Sequence, residues 1–178
     1  HYTHVNKKLW KGHRLIGVDG STLNLPPSKE IKEHFGVHAT TDSGVNRSLA
    51  RITFFQDLLN DFVVENDISP LNVSEKTHFI NRIEKIDDQN DIFILDRGYS
   101  HYNTVLLLDN MSKSFCIRFS GYSNFVKEAL AKEERDFVTT WHPSSKEIKN
   151  TKKQGLTPRP LLVRVTKVIL KTGETEVL

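Results

Sequence analysis

A single cysteine, Cys116, rules out any disulfide within this 178-residue chain. That excludes the cross-linked scaffolds of small secreted proteins and fits the reducing cytoplasm expected as its location. Cys116 lies in the apolar run Phe115–Phe119 and reads as a packed, inert thiol rather than a nucleophile. No apolar run approaches the ~20 residues a helix needs to span a bilayer, so no membrane partner is expected. No signal peptide is visible, and no internal repeat or low-complexity tract. The eight histidines do not cluster. His34 and His38 are four apart but lack a third ligand, and they read as surface residues rather than a metal site. The chain opens at His1 without a methionine and stops at Leu178 in strand-like sequence, so we expect an excised piece of a longer protein.

What is present suits a globular protein. Hydrophobic residues make up 37% and charged residues 26%, enough for a core within one domain that has room for an inserted lobe. The net charge of +3 hides an uneven distribution. Residues 57–96 carry three Lys/Arg and ten Asp/Glu, whereas residues 143–178 carry eight Lys/Arg and three Asp/Glu. The basic end reads either as a polyanion-binding surface or as a solvated lysine-rich loop.

Residues 1–13 are polar and aperiodic, a linker or frayed tail. Arg14 to Val18 is a short β-prone run. Residues 26–44 hold Pro26-Pro27, Gly36 and Gly44 and read as a long excursion with at most a short helix. Arg47–Phe55 and Leu58–Val64 read as strands with Asp57 near the turn between them. Ser74 is the expected N-cap of a helix over 75–86, with Phe79, Ile80, Ile83 and Ile86 on one face. Ile92–Leu95 reads as a strand covered on both faces. A helix over 101–111 follows, capped by Ser100 or Asp96, with Val105, Leu106 and Leu108 inward. Phe115–Phe119 is the next strand. Three strands before the first helix suggest an antiparallel meander; the later alternation suggests parallel strands with right-handed crossovers. Beyond it, 123–134 reads as helical, 136–141 as extended and 143–160 as a basic loop. Leu161–Leu170 and Glu174–Leu178 form an expected hairpin with Gly173 at the turn.

Two acids share one setting. Asp19 follows "RLIGV" and precedes Gly20-Ser21; Asp96 follows "IFIL" and precedes Arg97-Gly98. Each is expected to close an apolar strand, where α/β folds gather functional groups. Carboxylates in such places suit Mg²⁺, which favours oxygen ligands and leaves room for water and phosphate. The competing reading is that each Asp merely caps a turn. "VDGST" also touches two phosphate-handling patterns. Haloacid-dehalogenase-like phosphatases carry Asp-x-Asp-Gly-Thr, but Gly17 stands at their nucleophile position. Actin-like sugar kinases use Asp-x-Gly-Thr, whereas here Gly20 directly follows Asp19.

"LIGVDGSTLNLP", "SPLNVSEKTHFINRI", "DIFILDRGYSHYNTVLLLDNMSKSFCIRFS" and "KTGETEVL", in this order and spacing, resemble the DDE transposases of bacterial insertion sequences, of the insertion-sequence-four type. The resemblance covers nearly the whole chain from Leu15. It implies an α/β fold: a ribonuclease-H-like core over 14–119, and a β-rich insertion region over 120–178 with a basic loop and C-terminal hairpin. It implies that Asp19 and Asp96 are the first two catalytic acids and hold two Mg²⁺ or Mn²⁺ ions with a later Glu. That Glu belongs to a Tyr-x2-Arg-x3-Glu-x6-Lys motif that is absent here. Glu174 and Glu176 lie in the hairpin that precedes the motif in this family, and Glu128, Glu133 and Glu134 fall in the insertion. The chain is therefore expected to end before its third acid and to be inactive alone. For the intact enzyme the resemblance implies hydrolysis that frees a 3′-hydroxyl at the transposon end. Attack of that hydroxyl on target DNA follows, in a homodimer that binds DNA. Arg97 reads as a phosphate contact or an ion-pair partner. Lys146, Lys149, Lys152, Lys153 and Arg159 are candidate DNA-backbone contacts. Tyr99, Tyr102 and Asn103 are candidates for phosphate or metal-shell contacts, with packing as the alternative. Trp141 is either a base-stacking aromatic or a core residue. The alternatives from other classes are a non-catalytic DNA-binding or assembly domain of the same fold and a phosphatase-like hydrolase using Asp19.

Overall fold

In the computed structural model the strand that begins at Arg14 does not stop at Asp19. β1 runs without a break over Arg14–Leu25. The structure describes residues 6–40, 46–86, 90–119, 121 and 123–178. They divide into two units, His1–Asp91 and Ile92–Leu178.

The first unit contains β1, α1 (Lys29–Phe35), β2 (His38–Thr40), β3 (Asn46–Asp57), β4 (Phe62–Pro70) and α2 (Glu75–Ile83). β3 is the central strand. It pairs antiparallel with β1 from Ile16↔Asp57 to Leu25↔Ser48. β4 also pairs antiparallel with β3, from Ala50↔Pro70 to Asp57↔Phe62, and β2 pairs with the start of β3 at Asn46 and Arg47. The expected meander is therefore present as β1, β3 and β4, with α1 and β2 inserted between its first two strands. Its third strand begins at Phe62, not Leu58. Asp57 Oδ1 accepts from the amides of Leu59 at 3.1 Å and Asn60 at 3.2 Å, and Asp61 sits at φ 51°. This side-chain-capped turn claims the four residues that composition assigns to the strand.

Ser74 caps α2 as expected, accepting from Thr77 N at 3.2 Å. α2 packs on the sheet face that carries Phe55: Phe55 and Phe79 stack at 6.2 Å. Ile16, Val18, Phe55, Phe79, Ile83 and Ile86 are buried, each such side chain stabilising the unit by about 1.5–3 kcal/mol. Ile80 departs from the expected inward face and is 46% exposed. Arg14 forms a two-pronged pair with Asp91, at 2.7 and 2.5 Å. The first five residues lie outside the described ones. Lys8 is held to the turn after β3: Asn60 bonds both Lys8 N, at 2.8 Å, and Lys8 O, at 3.1 Å.

The second unit holds β5 (Asp91–Leu95, from Ile92 on), α3 (Tyr102–Asn110), β6 (Ser114–Ile117), α4 (Asn124–Ala131), β7 (Asp136–Trp141), α5 (Ser145–Lys153), β8 (Leu161–Ile169) and β9 (Thr175–Val177). β5 and β6 pair in parallel from Ile92↔Ser114 to Leu95↔Ile117, joined through α3. Val105, Leu106 and Leu108 of α3 are buried, as expected. β7, β8 and β9 form an antiparallel sheet, and Gly173, at φ 86°, makes the β8–β9 turn. Trp141 is 5% exposed. It stacks on Phe125 at 4.6 Å and meets Phe119 edge-on at 5.5 Å and Tyr102 at 5.6 Å. This is a core residue, with no free ring face for a base.

One expectation fails outright here. The basic segment is not a loop over 143–160 but contains α5. Ser144 and Glu147 form a reciprocal capping box, and fully buried Thr151 donates to Asn103 Oδ1 on α3.

Candidate functional site

Side chains on β1 alternate between faces. Those of Ile16 and Val18 are buried, and burial along the strand ends at Val18. Asp19 is the next residue and is exposed. It stands opposite Phe54 on β3, on the face away from α2. Its Oδ1 accepts from Gly20 N at 2.9 Å. The expectation that Asp19 closes a strand and that Gly20-Ser21-Thr22 forms a turn is therefore corrected. Those three residues pair with Thr53, Ile52 and Arg51. β3 supplies the backbone partners that a turn would otherwise supply. The same pairing leaves no phosphate-binding loop at Gly20–Thr22.

The glycine at 20 has a steric reason. A Cβ there would lie 2.2 Å from Glu75 Cδ. Glu75, in the first turn of α2, is held by Arg51 at 2.7 Å. The missing side chain lets the start of α2 lie on the strand directly behind Asp19. Deeper in the same face, Thr53, His78 and Ser69 form a buried polar relay. Thr53 Oγ1 lies 2.8 Å from His78 Nδ1, and His78 Nε2 lies 2.6 Å from Ser69 Oγ. Ser69 donates to Pro70 O, so it accepts from Nε2–H and Thr53 donates to Nδ1. Burial pushes the His78 imidazole below its ordinary range; Asp67 and Glu75 oppose this, and Arg51 and Arg82 reinforce it.

Asp96, in the second unit, follows β5 directly and is exposed. It caps a 3-10 turn over Arg97–Tyr99, its Oδ1 accepting from Gly98 N at 2.8 Å. It does not cap α3, whose N-cap is His101, with no side-chain capping hydrogen bond, and Ser100 instead donates to Arg97 O. Arg97 donates to Glu176. Tyr99 and Tyr102 are buried, and Asn103 bonds Gln154 at 2.9 Å. These three belong to packing and not to a ligand shell.

Lys146, Lys149, Lys152 and Lys153 are all exposed on α5. Arg159 is engaged: it donates to Asp109 and, at 3.1 Å, to Asn110. Its backbone accepts from Tyr102 Oη at 2.5 Å and donates back to it at 2.9 Å. His34 lies in α1 and His38 in β2, where His38 is half-buried and bonds Phe35 O. Among the described residues no three metal-ligating side chains gather. The donor chemistry of Asp19 and Asp96 nonetheless fits a hard divalent cation. Each is an exposed carboxylate that commits Oδ1 to a local amide and makes no ion pair among the described residues.

Antiparallel strands followed by strand–helix–strand alternation, with solvent-facing aspartates on β1 and after β5, define a mixed α/β domain consistent with a ribonuclease-H-like enzyme. A family model described as "Transposase DDE domain" matches residues 10–168, and the chain belongs to that family. No curated protein matched the chain. Membership points to DNA transposition, with DNA as the partner and nuclease and strand-transferase activity in the full-length enzyme. Among the described residues no helix is long and apolar enough to cross a membrane.

Proposed function

We propose that this chain is part of the catalytic domain of a bacterial transposase of the insertion-sequence-four type, and that Asp19 and Asp96 are its first two catalytic acids. The observation that carries the reading is the matched chemistry of the two aspartates within a DDE family match. Both are exposed, both follow buried strand residues, and both have one oxygen fixed by a backbone amide. The two carboxylates would hold Mg²⁺ or Mn²⁺. When bound, such ions neutralise charge on the phosphodiester and favour attack by water or a 3′-hydroxyl. The chain's own part is positioning: a strand fixes Asp19, a capped turn fixes Asp96, and the exposed lysines of α5 attract the DNA backbone. The third acid would come from outside residues 1–178, and the chain alone would not cleave DNA.

The experiment uses the full-length protein with the DNA bordering its own gene. Asp19→Asn and Asp96→Asn are each expected to abolish strand cleavage, with native circular dichroism retained. Cleavage that survives either change in a folded protein would refute the assignment.

A further inference from the structure

The C-terminal ends of β5 and β6 carry a charge cluster that the aspartates do not explain. Arg118 N donates to Leu95 O at 2.9 Å, which brings the ends of the two strands level. Phe119 N then donates to Val177 O at 2.8 Å and ties the same stretch to β9. Glu176 is thereby placed against two arginines. Arg97 donates to its Oε1, and Arg118 Nε stands 3.9 Å from its Oε2. The Glu176 side chain is only 10% exposed, whereas those of Arg97 and Arg118 are 49% and 48% exposed.

A carboxylate this buried requires a cationic partner, but one arginine would neutralise it. With two, the cluster keeps a net positive charge. A guanidinium carries five N–H donors, so most of those on Arg97 and Arg118 remain for a ligand. Both arginine side chains are half-exposed, and Arg97 directly follows Asp96 in the chain. Resting on the transposase reading, we propose that Arg97 and Arg118, held by Glu176, form a cradle for one phosphate group of a DNA backbone. The arginines are the contact groups and Glu176 is a positioning residue that acts through them.

Two measurements on the chain test this. In the first, inorganic phosphate is titrated while the arginine Nε–H resonances are followed by NMR. The Arg97 and Arg118 signals should move together along one saturating curve, and R97Q should abolish the response of Arg118. Immobile signals overturn the cradle. In the second, anisotropy of a short duplex of arbitrary sequence is recorded across salt concentrations. R97Q and R118Q should each reduce the log–log salt slope by about 0.9, the value of one phosphate contact. E176Q raises the net charge by one, so simple charge attraction predicts tighter binding. The cradle predicts weaker binding, restored at least in part by E176D. Tighter binding by E176Q overturns the proposal. If E176Q does not fold, the two exposed arginine variants decide the matter. DNA binding that R97Q and R118Q leave unchanged removes the cradle and leaves the transposase reading intact. A wild-type chain that answers to phosphate but not to DNA does the reverse.

Discussion

Replacing Gly20 by alanine tests the packing behind Asp19. A Cβ at this position would meet Glu75 Cδ at 2.2 Å, Cγ at 2.4 Å and Oε1 at 2.5 Å. β1 is pinned to β3 on both sides of the site, through Asp19↔Phe54 and Ser21↔Ile52. The flexible end of Glu75, 34% exposed, is therefore what gives way, and its 2.7 Å pair with Arg51 breaks. Arg51 is only 25% exposed, and its Nε is buried without a hydrogen-bond partner, so the loss leaves a partly buried cation poorly satisfied. The pair itself is worth about 0.2–1 kcal/mol, and the orphaned donor costs about 1–3 kcal/mol. Against this, alanine restricts the unfolded chain and returns about 0.4–1 kcal/mol. G20A should destabilise the chain by about 1–2 kcal/mol. E75A removes both the obstacle and the pair, so in that background G20A should stabilise by up to about 1 kcal/mol. Urea unfolding followed by far-ultraviolet circular dichroism on the four members of the cycle gives the coupling, expected near 2 kcal/mol. The same sign of effect in both backgrounds would refute this account of the glycine.

The buried His78 sets one pH window. Its native pKa lies below 6.5, so below about pH 6.5 the unfolded chain binds a proton that the native state refuses. Its contribution is complete above pH 6.5 and is lost as pH falls toward the native value, with a slope of at most ~1.4 kcal/mol per unit. H78Q should flatten the unfolding midpoint between neutrality and about pH 5. Asp67, held down chiefly by its hydrogen bond from Arg82, acts later, losing its contribution only as pH falls below 3.8. Trp141→Ala should cost about 3–5 kcal/mol in denaturant unfolding. Retained stability with lost DNA binding would instead restore the base-stacking role. K149Q and K152Q should each lower the salt slope of DNA binding by about 0.9. Arg159→Gln should lower thermal stability and leave that slope in place, because Asp109 and Asn110 already engage its guanidinium.

What could be read from the sequence follows the physics of each segment. The β5–α3–β6 stretch was legible because its signals agree: an apolar run, a helical period and a second apolar run within thirty residues. The end of β1 was not. After Val18 the strand leaves the core and becomes polar, so Gly-Ser-Thr reads as a turn although β3 pairs every residue. α5 was missed because four of its nine residues are lysines and only Thr151 is buried, leaving no apolar period. The Ser144-x-x-Glu147 capping box was the available signal. The pairing of Arg118 with Glu176 carried no local signal. Glu176 lies 79 residues from Arg97, and the cluster depends on backbone pairing at the ends of three strands, which no local pattern encodes.

The feature that hid the end of β1 also bears on the catalytic role proposed for Asp19. A carboxylate that must exchange water for metal and phosphate cannot lie within the core, yet in a loose loop it would wander from the geometry the reaction needs. A strand that continues past its own burial meets both demands. Ile16 and Val18 anchor it below, β3 holds it above, and Asp19 stands at the boundary with one oxygen fixed by Gly20 N. Asp96 meets the same demands differently. Leu95 is buried beneath it, and the 3-10 turn it caps fixes its Oδ1 on Gly98 N. Both residues thus combine a rigid backbone with a solvent-facing second oxygen. A structural cap needs only the first of these, whereas the proposed metal-binding role needs both.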